Sequence, residues 1–434
     1  MSDGHRALGN RYWRLWSAVT ASSFGNGLTI TALALLVVSR TADPLAVAVL
    51  SALADAPALV VALVGGRAID RSDRRRVLIA MDVARGVLLV GLSAAVIAGW
   101  AAVWIAYAVV LLSGVASLTF DVAAQAMIPA LTPRARWHAA NGWLYAAEDG
   151  MKELVGPPTG AGLFAVAPAL PFVVDAVSFV ASAVVITSIP GSYPPDGGGG
   201  PGEVAPAALA GPAPGVAEVP VDFPAPDTAP IAPTPDDADP RQREALRAVL
   251  RHPMWRTFSA CWTLVGVANG VAFATLVLFV TDTLGASALT YGFISAAVGV
   301  GLILGGVIAE RVLEPFRASA RIWVPILLTG VLYALVGLAG SPGVMGGLLV
   351  AWGFSAALLN TAVAVLRQER IPQVVFGRVV SRLNLYLRGG VVVGAVAGGL
   401  IASAWGMRAP WLVAGAVEVA VAAVAARALR IDRV

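Results

Sequence analysis

Residues 65–78 read GGRAIDRSDRRRVL, and residues 305–313 read GGVIAERVL. In both, an apolar stretch ends in a glycine pair, and an acid–arginine pair follows: Asp70-Arg71 in the first, Glu310-Arg311 in the second. The offset between them is 240 residues. Moving outward, Trp13-Arg14 matches Trp255-Arg256, Asn26-Gly27 matches Asn269-Gly270, and Gln125 with Ile128-Pro129 matches Gln368 with Ile371-Pro372, at offsets of 242, 243 and 243. Matches in the same order at nearly one offset identify an internal duplication, the signal to settle before any other reading of a chain.

The repeated unit is membrane-spanning. The 434 residues are 58% hydrophobic and 13% charged, against roughly a quarter charged in a soluble domain. Apolar runs fall at 13–39, 44–66, 76–99, 102–128, 139–168, 170–189, 256–281, 287–309, 319–340, 343–366, 376–405 and 408–427. Each is long enough for a hydrocarbon core of about 30 Å. Short loops between neighbours allow other divisions, including an odd count. The basic residues favour twelve: 25 of the 30 Lys and Arg fall on segments facing one side, and only Arg40 and Arg408 on the other. That asymmetry places both termini in the cytoplasm of a cell membrane. It also explains the basic balance as topology, not as a nucleic-acid footprint. Six spans per unit is an even number, so both units enter from the same side and form parallel repeats about an axis along the membrane normal.

The expected organisation is a six-helix half over 1–190, a linker over 191–252 and a second six-helix half over 253–434. Residues 191–240 carry 13 prolines, 8 acids and no Lys or Arg. Such a segment cannot bury enough apolar surface to order itself, and it reads as a disordered tether or as a docking tail. A short basic amphipathic helix is expected over Arg241–Arg251, lying at the membrane surface. The N-terminus, MSDGHRALGNRYWRLW, lacks the pattern of a cleaved signal peptide. The lone Cys261 precludes a disulfide within the chain.

The 65–78 loop resembles the loop between helices 2 and 3 of the major facilitator superfamily, Gly-x-x-x-Asp-Arg-x-Gly-Arg-Lys/Arg. Gly66, Asp70, Arg71, Arg74 and Arg75 match, while Asp73 replaces the second glycine. VGPPTGAG at 155–162 is similar to the Gly-Pro motif on helix 5 of drug–proton antiporters in that superfamily. IPALTPRARWHAAN (128–141), PFVVDAVSF (171–179) and FGRVVSRLN (376–384) resemble the branch of macrolide efflux proteins and the enterobactin exporter. The resemblance implies an all-α fold of two pseudo-symmetric six-helix bundles rocking about a central cavity lined by helices 1, 2, 4, 5, 7, 8, 10 and 11. It also implies a cytoplasmic latch of Asp70, Arg74 and Asp121 that holds when the cavity faces outward. The fourth span lacks the mid-membrane arginine of many proton-coupled exporters.

Charges inside a bilayer cost about 2.5–3.5 kcal/mol each on the mildest scale and mark function by default. The spans hold eight acids, Asp55, Asp82, Asp121, Glu148, Asp149, Glu153, Asp175 and Glu418, against three bases, Arg85, Lys152 and Arg388. The surplus acids must take protons, reach loop arginines, meet water or meet a cationic substrate. Burial favours the neutral carboxyl, which suits proton coupling. Asp55, midway along its span, reads as a proton or cation site, or as a protonated acid bonded to a carbonyl. Glu148, Asp149, Lys152 and Glu153 form a relay or anchor, or a closed salt-bridge network; the i, i+4 spacing pairs Glu148 with Lys152. Asp82 and Arg85 are spaced as a structural pair. Asp175 is placed to reach interfacial water near a helix end. Asn26 and Asn269 offer amides to a cavity or to a neighbouring helix. Gly156, Pro157 and Gly160 give a hinge, or close packing through small residues, because proline breaks the helical ladder.

There is no phosphate-binding loop for nucleotide hydrolysis, no metal-ligand spacing around the isolated His5, His138 and His252, and no nucleophile–base arrangement. Neither an enzyme nor a cofactor is expected. The sequence reads as a monomeric proton-coupled exporter of amphipathic or lipophilic small molecules such as macrolide-like drugs; a siderophore exporter and an uptake permease are the alternatives.

Overall fold

The computed structural model describes residues 8–61, 72–191, 193 and 240–428. Glycine and proline punctuate its turns, and uninterrupted apolar runs build its helices. Among the described residues, twelve helical columns alternate in direction. The first half holds α1 (Asn10–Arg40), α2 (Pro44–Val60), α3 (Arg74–Ile97), α4 (Val103–Leu131), α5 and α6 (Leu170–Thr187). Column α5 is composite: Trp137–Asp149, a π-helical Gly150–Val155, then Gly156–Val166. The second half holds α7 (Pro253–Thr283), α8 (Ala288–Leu313), α9 (Ala320–Gly337), α10 (Pro342–Arg370), α11 (Phe376–Trp405) and α12 (Ala409–Ala428). Ten of these are singly long and apolar enough to cross a membrane. The other two are α5, whose pieces join end to end, and α2, beyond which residues 62–71 lie outside the described chain. Gly66, Asp70 and Arg71 fall there, as does most of the 191–240 linker.

The helices start where side chains satisfy the free N–H groups of a first turn. Asp43 caps α2 through Leu45 N at 2.9 Å, and Asp73 caps α3 through Arg76 N at 3.2 Å. Gly406 ends α11 at φ 83°, a conformation that a side chain would strain. An amphipathic helix, Pro240–Arg251, leads into α7 and packs Leu246 and Val249 on the second half.

Two helices run further than their apolar stretches suggest. α10 continues to Arg370 and α8 to Leu313, so Arg367, Arg370, Glu310 and Arg311 are helical, not loop residues. The helix ends that carry most of the described arginines gather around one cluster in each half, with Tyr12, Leu78 and Ile128 in the first and Trp255, Ile322 and Ala425 in the second; Arg40 and Arg408 stand at the opposite ends of α1 and α12.

The core divides unevenly. Toward the face opposite the arginines, one apolar cluster joins both halves, from Leu33, Leu36 and Phe172 to Val271, Leu276 and Tyr291. Toward the Arg-rich face there are two clusters. One, with Tyr12, Phe120 and Ile186, belongs to the first half, and the other, with Trp255, Phe258 and Val379, to the second. Among the described residues, the halves therefore share one core at one face and hold separate cores at the other.

Candidate transport site

The weld is made by small residues. Gly399 on α11 lies over α2, where an added Cβ would stand 3.1 Å from Leu45 Cα. Gly292 on α8 lies over α5, where a Cβ would stand 2.7 Å from Pro157 O. Ser51 Oγ donates to Ala274 O across the same junction at 3.2 Å. Contact this tight leaves no room for a side chain, and it lets backbones close on one another.

Midway along the helices the junction becomes ionic. Asp55 is eleven residues into α2, roughly 16 Å at the helical rise. Its Oδ1 accepts from Arg388 Nη1 of α11 at 2.8 Å. Both side chains stay partly open, 28% and 41% exposed respectively. No base sits near Asp55 on its own helix; its partner comes from the other half, 333 residues away.

The α5 charges lie on the other flank. The expected Glu148–Lys152 pair does not form. The π-turn Gly150–Val155 widens the helix so that residues five apart fall in line, which takes Lys152 off the face of Glu148. Lys152 instead approaches Glu153 at 4.0 Å, with both side chains nearly half exposed. Glu148 Oε1 is buried without a hydrogen-bond partner, and the charges of Asp121, Asp149 and Lys152 bear on it. The same π-turn absorbs the break expected from Pro157 and Pro158, which stand in the first turn of the restarted helix. It is clamped from both sides. A Cβ at Gly27 of α1 would meet Lys152 O at 2.6 Å, and one at Gly299 of α8 would meet Glu153 O at 3.2 Å. Gly156 and Gly160 press on α1 at Gly27 and Leu28.

Asn26 joins a chain of polar contacts inside the first half. Ser117 Oγ donates to Asn26 Oδ1 at 3.1 Å and accepts from Arg85 Nη1 at 3.1 Å. Arg85 pairs with Asp82 on its own helix, both side chains fully buried, and lies against the rings of Phe120 and Phe179 at 4.6 and 4.1 Å. Asp121, half-buried on α4, feels the charges of Arg85 and Lys152. Arg74 donates to Ala126 O of α4 at 2.6 Å, and Arg75 to Ile186 O at 3.2 Å, so both basic residues hold helix ends.

Asp175 does not reach interfacial water. It is 1% exposed between α6 and α1, accepts from Thr29 Oγ1 and Ser178 Oγ, and packs where Gly25 makes room. In the second half, Asn269 Nδ2 donates to Tyr333 OH at 3.4 Å. Glu418 is buried between α12 and α9 beside Gly330. Arg367, which the sequence places in a loop, is 7% exposed in the last turn of α10, stacked 5.3 Å from Trp262, with Nε and Nη2 unpartnered. Apolar spacing alone gave no sign of Arg367 burial or of the Ser117 and Tyr333 contacts. No group of three metal-ligating residues occurs among the described residues.

The candidate site therefore consists of one carboxylate–guanidinium pair where α2 meets α11 and, on the other flank, a carboxylate-rich patch with a single amine. Such groups can exchange protons or ions.

The family model of the Major Facilitator Superfamily matches residues 15–388. Solute carrier family 22 member 18 of Rattus norvegicus is 28% identical over 138 residues, 31% of this chain and 34% of the relative. Solute carrier family 67 member A1 of Homo sapiens is 29% identical over 143 residues, 32% of this chain and 34% of the relative. The match thus spans about a third of the length of these curated relatives. Among solved structures, a bacterial homolog to the human lysosomal transporter Spinster, inward-facing and unoccupied, superposes with a TM-score of 0.68 at 14% identity, covering 100% of this chain and 99% of that one. The human organic anion transporter MFSD10 (TETRAN) superposes with a TM-score of 0.59 at 14% identity, covering 98% and 100%.

Proposed function

From the premise that the chain belongs to the Major Facilitator Superfamily, we propose that it is a proton-coupled antiporter. It exports amphipathic or lipophilic small molecules, such as macrolide-like drugs or secondary metabolites, across the cell membrane by alternating access. Its Arg-rich face and both termini are cytoplasmic, a reading that the charge asymmetry supports. On that assignment the separate cores lie toward the cytoplasm and the shared core toward the outside.

The observation that supports this reading is the Asp55–Arg388 pair between α2 and α11. In the inward-open form, Arg388 neutralises the carboxylate. A cationic amphipath entering from the cytoplasm competes with Arg388 for Asp55, and a proton on Asp55 cancels the attraction altogether. Two ligands that compete for one carboxylate cannot travel together, which is the logic of exchange, and each shifts the two-state equilibrium by its differential affinity. The acidic patch Glu148, Asp149 and Glu153 raises the local concentration of cations and passes protons. The π-turn with Gly156, Pro157 and Gly160 is the hinge on the opposite flank. The Asp70, Arg74 and Asp121 latch closes the cytoplasmic side in the outward-facing form.

A second reading rests on Arg388 and Lys152, whose head groups stay open between the halves. They would serve export or uptake of an anion such as a siderophore, and the structurally similar MFSD10 is described as an organic anion transporter.

The test is uptake into everted membrane vesicles from an efflux-deficient host, using macrolides and lipophilic cations. Accumulation that an ionophore abolishes supports the antiporter. No ionophore-sensitive accumulation, with siderophores transported instead, moves the chain to the second reading.

A further inference from the structure

A cavity of about 340 Å³ opens at the Arg-rich face, bounded by Leu250 of the amphipathic helix, Arg256, Ser259, Ala260 and Thr263 of α7, and Tyr386 of α11. Its lining shares no residue with the Asp55–Arg388 pair or the α5 patch. The seam between α7 and α11 runs through Gly266 on Leu387, Gly390 on Thr263 and Gly394 on Val267. Asn384 points into the second half, toward Arg367 of α10. Arg388 points to α2. Tyr386 stands on the remaining face, and Val393 and Leu400, seven and fourteen residues further, continue it at 64% and 55% exposure. On α7, Ala260 and Leu264 are exposed one and two turns beyond Arg256. That face of the α7–α11 seam is apolar and open along two helices long and apolar enough to cross a membrane. Its foot, at the membrane surface, is basic: Arg247, Arg251 and Arg256 are all exposed, and none forms an ion pair among the described residues.

We propose that this cavity is a binding site for an anionic phospholipid. The headgroup phosphate sits at Arg256, with the Tyr386 hydroxyl as a second donor, and an acyl chain lies along Leu264, Val393 and Leu400. A soluble phosphate would meet the same arginine but would leave the apolar wall uncovered. A basic pocket between membrane helices, at headgroup depth and beneath a basic amphipathic helix, has the chemistry that selects anionic headgroups. The occupant would also fix the amphipathic helix to α7, so that the entry to the second half is set by lipid as well as by protein.

The test is native mass spectrometry of the purified full-length protein, with phosphatidylglycerol, phosphatidylcholine or inorganic phosphate added in turn. Wild type should retain phosphatidylglycerol over phosphatidylcholine, and inorganic phosphate should neither bind nor compete. Arg256→Gln should lower retention about fivefold, the effect of one basic residue at the surface. Ala260→Trp, which fills the cavity and keeps the charge, should lower it too. Arg317→Gln, a change of equal charge elsewhere on the same face, should not. Each variant is first checked for wild-type elution and melting. Equal retention by Arg256→Gln and Ala260→Trp, equal loss with Arg317→Gln, equal binding of phosphatidylcholine, or competition by free phosphate would each overturn the proposal.

Discussion

Arg388 Nη1 lies 2.8 Å from Asp55 Oδ1, and this ion pair ties α11 of the second half to α2 of the first. The two residues stand just inside the apolar weld made by Gly399 over Leu45. Breaking the pair should loosen the weld. With spin labels at Arg40 and Arg408, both on the closed face, Asp55→Asn and Arg388→Ala should each add a population at longer distance. Unchanged distance distributions in both variants would remove the pair from the closure of that face.

The pair inside the first half behaves differently. Asp82 and Arg85 are fully buried together. Removing one partner of such a pair leaves a bare charge and costs about 3–5 kcal/mol. Arg85→Ala and Asp82→Ala should therefore lower the melting temperature of the purified protein sharply. The double replacement Asp82→Leu/Arg85→Met should recover much of the loss. A double variant as unstable as the singles would mean that the Ser117 and Asn26 contacts carry the effect.

Close approach of α1 and α5 gives a steric test. A Cβ at Gly27 would come within 2.6 Å of Lys152 O, whereas one at Gly150 meets nothing within 4 Å. Overpacking of this kind costs about 1–3 kcal/mol. Gly27→Ala should melt earlier than wild type, and Gly150→Ala should melt with it or later. Equal melting of the two would place the α1–α5 contact elsewhere.

Arg367 is buried with two unpartnered nitrogens beside Trp262. An apolar side chain of similar length removes that desolvation cost, which runs to about 1–3 kcal/mol for a buried unsatisfied polar group. Arg367→Met should melt at or above the wild-type temperature. A large fall would reveal a counter-charge that Arg367 serves in another conformation.

Much of this architecture is written in the sequence because membrane helices are long, apolar and flanked by charge. The predicted run 376–405 coincides with Phe376–Trp405, and 170–189 nearly so with Leu170–Thr187. Helix ends are less legible: α10 carries its ladder through the polar RQER turn to Arg370, since backbone bonding and not hydropathy decides where a helix stops. The charges are legible as a set, and Asp82 with Arg85 also as a pair from their i, i+3 spacing, but the pairing of the others is not. Spacing assumes 3.6 residues per turn, and the π-turn at Gly150–Val155 defeats that assumption for Glu148 and Lys152. Asp175 is hidden by a partner, because only the approach of Gly25 and Thr29 from α1 shows that it is buried. The Asp55–Arg388 pair depends on how two distant halves meet, which no local pattern encodes.

In the proposed exchange, Asp55 carries the coupling. The most direct measurement is transport by wild type and Asp55→Asn in everted vesicles, with and without a proton ionophore, using a compound that wild type accumulates. Loss of ionophore-sensitive accumulation in Asp55→Asn, at wild-type expression and melting temperature, is the predicted result. Full ionophore-sensitive accumulation by Asp55→Asn would remove Asp55 from the coupling and move it to Glu148, Asp149 and Glu153.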